Sequence, residues 1–221
     1  WTIQVSAQAP NEVWVDDDWA GTSPGTEVEP GKIFGTNAFA TIQEGINAVA
    51  EGGIVHVAAG TYNEAITIDK SLTLQGEDKT TTIIDGTDID AHYGIHITAS
   101  NVVVRGFTIK GFTYGYGWGV QLTDADHCLL EDLLIKECNS GINLYRGSDH
   151  NTIQNCEVNG IGGNAISIYG SDIGCTDNVI RNNRIIGCAW YMPDGKYHLP
   201  AIPVFSGASN NIIEDNVLEG R

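Results

Sequence analysis

The 221-residue chain sets 28 Asp and Glu against 11 Lys and Arg, a net charge of −17 with a pI near 4.4. A field of that sign repels phosphate backbones and anionic headgroups, which excludes nucleic acid as an expected partner. Hydrophobic residues at 42% can fill a core, yet no apolar run approaches the roughly 20 residues of a membrane span, and 27 Gly with one Met point to many tight turns rather than a helical bundle.

In chain order, residues 1–38 read as an N-terminal extension. Within it Asp16, Asp17 and Asp18 are consecutive hard oxygen donors and form a candidate Ca2+ site. Residues 39–53 read as a short capping helix. Thr41 and Glu44 have capping-box spacing, Ile42, Ile46 and Val49 recur at helical spacing, and Gly52 and Gly53 supply a stop. Residues 54–57, 65–68, 72–74 and 82–84 then alternate as short strands between turns such as Ala59-Gly60 and Gln75-Gly76.

Beyond these the chain repeats. Segments beginning at Asn101, His127, His150, Asp177 and Asn210 align without gaps, starting 26, 23, 27 and 33 residues apart. Before each lies a short strand whose apolar pair faces inward: Ile95/Ile97, Val120/Leu122, Ile142/Leu144, Ile166/Ile168 and Ile202/Val204. A unit of about 23 residues without a helix between its strands cannot bury its apolar face alone, whereas coils stacked about 4.8 Å apart can. The expected fold is therefore all-β, a parallel β-helix of about seven coils over residues 54–221, with the helix as a lid on the first coil. The start at Trp1 without a Met predicts a processed mature chain or an excised fragment, and a last coil that stops within a repeat at Arg221 predicts a piece of a longer protein.

The sixth position of the aligned segments reads Gly106, Asp132, Asn155, Asn182, Asp215, residues that tolerate left-handed backbone angles, so a polar turn column is expected there. The fifth reads Arg105, Glu131, Gln154, Arg181, Glu214, which predicts a solvated ladder with opposite charges on adjacent coils at two steps. Five Cys is an odd number. Cys138 and Cys188 share a column two coil spacings apart, roughly 9.6 Å, beyond the ~7 Å Cα separation of a disulfide. Buried free thiols are the expectation, which suits a reducing or anoxic habitat better than a disulfide-stapled secreted protein.

The run through Val13-Trp-Val-Asp-Asp-Asp18, Phe39-Ala-Thr-Ile-Gln-Glu-Gly-Ile-Asn47, Val57-Ala-Ala-Gly-Thr-Tyr62 and Ser71-Leu-Thr-Leu-Gln-Gly76 resembles the N-terminal portion of secreted, pectin-lyase-like right-handed parallel β-helix proteins. The resemblance extends from about residue 12 onward. It implies a right-handed helix, an extracellular or cell-surface setting, and polysaccharide as the ligand class. It does not fix the chemistry, since the superfamily spans lyases, hydrolases, epimerases and surface-layer components.

Two insertions depart from the minimal coil. One carries Tyr114, Tyr116 and Trp118, the other Trp190, Tyr191 and Tyr197, and both follow the same strand of their coils. They predict a trough with aromatic walls, suited to stacking on sugar rings, to contacts between neighbouring subunits or to packing back on the coils. Tyr145, Tyr169 and Phe205 form a second, outward aromatic line. Asp124 and Arg146 follow that line and are expected to form an ion pair. They also offer the nearest approach to the Arg or Lys base that the resemblance implies for a lyase. For hydrolysis, which needs two carboxyl groups, only Asp124 with Asp126 or Asp149 can be placed. The in-register pairs Asp126-His127 and Asp149-His150 are candidate divalent-metal ligands as well as ordinary turn residues. No cofactor is expected other than Ca2+. The expected role is structural or carbohydrate-binding in a surface or filament assembly, with a polysaccharide lyase or glycoside hydrolase as the alternative.

Overall fold

The computed structural model describes residues 8–188 and 201–220. Its strands stack in parallel, coil upon coil, in the repeat register. Val104, Leu130, Ile153, Ile180 and Ile213 are successive partners in one column. Ile66, Ile95, Val120, Ile142 and Ile166 form another. Among the described residues seven coils follow from Ile54–Val57 to Ile212–Glu214, and they are walled by a 14-stranded sheet and a separate five-stranded parallel sheet. The interior columns from the first coil to Ile180 are completely or almost completely buried. On the last rung Ile212, Ile213, Val217 and Leu218 are exposed.

Backbone conformation explains why the repeat holds its shape. The sixth-position column is left-handed throughout, with φ from 50° to 55° at Asp132, Asn155, Asn182 and Asp215 and 79° at Gly106. At this corner the long strands Val103–Lys110 and Leu129–Lys136 turn from one wall into the next. The first-position column, Asn101, His127, His150, Asp177 and Asn210, is left-handed as well, with φ from 56° to 60°.

Immediately after each of these corners the chain aims a side chain inward, where polar residues form two buried ladders. Asn151 accepts from the Cys128 N–H at 2.8 Å, Asn178 from Asn151 at 2.8 Å and Asn211 from Asn178 at 2.9 Å. In the second ladder Asn183 accepts from Cys156 and Asn216 from Asn183, both at 2.9 Å. Each carboxamide nitrogen gives its proton to a carbonyl of the preceding coil, as Asn178 does to Ser148 at 3.0 Å and Asn183 to Ile153 at 2.9 Å. The turn carbonyls and N–H groups of a dry interior are thereby satisfied.

Cys128 and Cys156 begin these two columns and place Sγ 3.4 and 3.7 Å from carbonyls of the preceding coil, a weaker form of the same contact. All five cysteines are buried, and Cys128, Cys138, Cys156 and Cys175 are free thiols, as the register argument expects. Burial pushes the thiol of Cys128 up to about 11 and those of Cys138 and Cys156 up to about 12. The native protein should therefore resist alkylation at about pH 8 and titrate five thiols once denatured. An unfolded thiol ionises near 9.0. The folded value is higher, so this stabilisation is fully present below about pH 9 and is lost as pH rises toward the folded values. Denaturant midpoints should fall from about pH 8 to about pH 10, less so in Cys156→Ala; a flat profile in the parent would contradict the burial.

The N-terminal region departs from expectation in two ways. Glu12–Val15 is not outside the coils: it pairs between Ala38–Phe39 and Ile54–Val57 and adds a rung to the large sheet. The helix, α1, spans Ile42–Ala48 rather than 39–53, because residues 38–39 are consumed by that pairing and Val49 already has an extended ψ of 145°. Its capping box forms, Thr41 accepting from the Glu44 N–H and donating to the Glu44 carboxylate at 2.9 Å. Glu64 receives the N–H groups of Ile42 and Gln43. Gly45 sits against Val13, Val15 and Val55, where an added Cβ would lie 2.7 Å from Val15 Cγ2, so α1 seals the first rungs as a lid.

The charged ladder forms at one of its two expected steps. Arg105 lies 3.6 Å from Glu131, but Arg181 turns its guanidinium to Gln154 instead of Glu214. Gln154 offers a neutral acceptor on the coil before, and neither exposed contact is worth more than about 1 kcal/mol.

Candidate functional site

The five-stranded sheet consists of Ile66–Ile68, Tyr93–Ile97, Trp118–Thr123, Ser140–Tyr145 and Ile166–Tyr169, and its outer face floors a groove of about 850 Å³. Strand alternation builds it. Between the two inward apolar residues of each strand stands one outward residue, and these pair in register as His96, Gln121, Asn143 and Ser167. They are tied along the helix axis. Ser167 Oγ donates to Asn143 Oδ1 at 2.7 Å, and Asn143 Nδ2 donates to Gln121 Oε1 at 3.0 Å. Gln121 Nε2 in turn donates to Thr123 Oγ1 at 3.1 Å, and His96 Nε2 lies 3.2 Å from the same hydroxyl. Burial holds the His96 imidazole below its usual pKa.

Aromatic residues flank this floor on both sides. Tyr93 and Trp118 are register partners at the strand starts, with Ser140 next in the column. At the strand ends Tyr145 stacks on Tyr169 at 5.6 Å, and Tyr169 meets Phe205 at 5.3 Å. The loop carrying Tyr114 and Tyr116 rises over the first wall. It is closed by a bond from the Gly117 N–H to the Tyr114 carbonyl at 2.9 Å, and Asn139 of the next coil donates to the Thr113 and Gly115 carbonyls at 2.6 and 3.0 Å. Gly117 has a φ of 49° and lies so close to the Phe112 carbonyl that a side chain has no room there.

Of the sequence-derived candidates, Tyr116, Trp118, Tyr145 and Tyr169 meet in this one groove. Tyr114 is not part of the lining, its ring centroid lying 5.0 Å from that of the lining residue His92. Trp190, Tyr191 and Tyr197 lie outside the described residues. The floor amides and Tyr93 were missed by sequence reasoning, although the signal was present: the middle residue of the repeated strands reads His96, Gln121, Asn143, Ser167, polar wherever the pattern points outward.

The charged candidates are elsewhere. Asp124 and Arg146 sit just past the strand ends in left-handed conformations, with φ of 51° and 40°. Their backbones are bonded, the Asp124 N–H to the Arg146 carbonyl at 2.9 Å. The expected ion pair is not among the salt bridges of the described residues; the Arg146 guanidinium instead lies 5.8 Å from the Tyr145 ring centroid.

Asp126, His127, Asp149 and His150 form a turn column away from the groove. Asp126 accepts from the Asp149 N–H at 2.9 Å and Asp149 from the Thr176 N–H at 2.6 Å. The two imidazoles stack at 4.9 Å. These carboxylates are spent on backbone donors, and no metal-holding cluster forms here among the described residues.

Asp16, Asp17 and Asp18 do bring ligand atoms within 4.8 Å of one another. Asp16 accepts from the Asp18 N–H at 3.0 Å and Asp17 from the Thr61 N–H at 3.1 Å, fastening the N-terminal segment to the coils. Burial, then the neighbouring carboxylates, holds the Asp16 pKa above its usual value.

No curated protein sequence matches the chain. Among solved structures, the fold is similar to an alginate lyase from Paenibacillus sp. str. FPU-7, with a TM-score of 0.64 and 19% identity over 80% of this chain and 63% of that one. It is also similar to a pectin methylesterase from Yersinia enterocolitica, with a TM-score of 0.58 and 14% identity over 76% of this chain and 67% of that one. The catalytic domain of a GH87 α-1,3-glucanase matches with a TM-score of 0.59 and 16% identity over 90% of this chain and 41% of its own. At these identities the likeness is one of fold. In sequence, residues 65–220 match the family model described as a right handed beta helix region. That match covers well over half of the chain and agrees with the stacked parallel coils, so the chain belongs to the right-handed β-helix family.

Proposed function

We propose that the protein binds a polysaccharide in the groove of the five-stranded sheet, as a carbohydrate-binding element of an extracellular or cell-surface protein. The observation that carries this reading is the pairing of two aromatic walls with an amide and hydroxyl floor in one groove. Flat rings stack on the C–H faces of sugars while amides exchange hydrogen bonds with their hydroxyls. The α-1,3-glucanase of the same fold is described in complex with tetrasaccharides, which supports an oligosaccharide as the occupant. Hydrolysis would require two carboxyl groups about 5 to 9.5 Å apart across the scissile bond, and the described groove lining offers stacking and hydrogen bonding instead.

Trp118 is half-buried on the wall, and a stacked ring of this size contributes on the order of 1 to 2 kcal/mol. Trp118→Ala should weaken polysaccharide binding roughly tenfold in affinity electrophoresis or calorimetry while leaving the thermal midpoint nearly unchanged. Unaltered affinity in that variant would remove the groove from consideration.

A further inference from the structure

We propose that the groove selects an uncharged glycan, laid along the helix axis, and rejects uronate polymers of the same shape. This rests on the groove being a polysaccharide site and adds its ligand class.

The described lining contains phenols, an indole, one imidazole, amides and hydroxyls, but no Asp, Glu, Lys or Arg. Its floor is bifunctional. Within the chain of bonds from Ser167 through Asn143 to Gln121, each amide oxygen keeps a second lone pair and each amide nitrogen a second proton. A sugar hydroxyl both donates and accepts and can use either, whereas a carboxylate only accepts.

Electrostatics act in the same direction. The chain carries a net charge of −17, and an anion entering the groove meets that field without a Lys or Arg in the described lining to offset its desolvation. His96, on the next floor position, lies outside the described lining, and burial holds its pKa below the usual value. Arg146, at the end of the aromatic wall, lies 5.8 Å from the Tyr145 ring centroid and is not part of the lining.

The direction of the chain follows from the repeat. Tyr145, Tyr169 and Phe205 succeed one another at 5.6 and 5.3 Å, and the floor advances by one residue per coil in parallel with them. A glycan running along the axis would meet one ring and one polar floor group at each step. A glycan running along the strands would meet the floor only once.

The test uses matched polymers. Polygalacturonate and alginate are compared with their carboxyl-reduced forms, in which each carboxylate has become a primary alcohol, alongside neutral α- and β-glucans, mannan and xylan. Binding is measured by affinity electrophoresis and calorimetry on the full chain. The expected result is at least tenfold tighter binding of one or more neutral polymers, with a carboxyl-reduced form preferred over its uronate parent. Equal or tighter binding of the uronates overturns the selectivity while leaving the groove as a polysaccharide site; binding of no polymer at all overturns both.

A gain-of-charge variant provides the second arm. Gly162 lines the groove at a point where an added Cβ meets no atom within 4 Å. Gly162→Lys should raise uronate binding at least threefold, with the gain abolished by salt. Unchanged uronate binding in this variant would show that a lacking cation is not the discriminator.

Discussion

Asn178→Ala should cost about 3 to 5 kcal/mol of stability, among the largest effects of any single side chain in the coils. Asn178 is completely buried, with Asn151 above it and Asn211 below it in the interior ladder. Its Oδ1 accepts from the Asn151 N–H at 2.8 Å, and its Nδ2 donates to the Ser148 carbonyl and to Asn211 Oδ1, both at 3.0 Å. Truncation strands one backbone donor and one backbone acceptor in an interior without water. Each costs about 1 to 3 kcal/mol beyond the small cavity. Asn211→Ala, at the partly exposed end of the ladder, should cost less because solvent reaches the groups it frees. Urea unfolding followed by far-ultraviolet circular dichroism would compare the two. Equal and small losses would mean the ladder is decorative.

Gly141→Val should be at least as damaging, by about 3 kcal/mol or more, and should abolish glycan binding with it. Gly94, Gly119, Gly141 and Ala165 occupy equivalent places at successive strand starts. At Gly141 a Cβ would drive into the Ala165 carbonyl and come within 2.9 Å of Val158 Cγ1. A backbone carbonyl cannot swing aside as a flexible side chain can, so the strand must leave its register. That strand also carries Ser140, Asn143 and Tyr145 into the groove. The control is Gly162→Ala, where an added methyl meets nothing and stability should hold within about 0.5 kcal/mol. A folded Gly141→Val protein with parental binding would contradict the close approach of these coils.

Much of the scaffold was legible because a stacked repeat writes its geometry into sequence period. The inward column from Val104 to Ile213 and the left-handed corner from Asp132 to Asp215 follow from gapless alignment alone, since each coil meets only its neighbours. The helix lid was equally visible in Thr41 and Glu44, whose capping box is a local interaction. Other features were hidden. His127 and His150 read as ordinary turn residues or as metal ligands, and that they are the left-handed corner residues of their coils, with stacked rings, is a backbone requirement that residue identity alone does not reveal. Asp124 and Arg146 fall on adjacent coils as expected, but the Arg146 guanidinium lies by the Tyr145 ring, a choice of side-chain partner that register does not reveal. The polarity of Asn178 and Asn183 gives no sign of an inward position; that they point inward depends on a corner immediately before them.

The sequence by itself determined the coil, its register, its inward face, the burial of its thiols and the family to which it belongs, because these depend on period and on contacts between equivalent positions. Tertiary structure decided the site. Trp118 and Tyr145 stand at opposite ends of two neighbouring strands, Tyr169 and Phe205 come from later coils, and Gln121, Asn143 and Ser167 become one floor only when three coils lie side by side. A groove depends on which outward residues converge and on the depth the flanking loops give it. Those are distances between residues far apart in the chain, and they exist only once the coils are stacked.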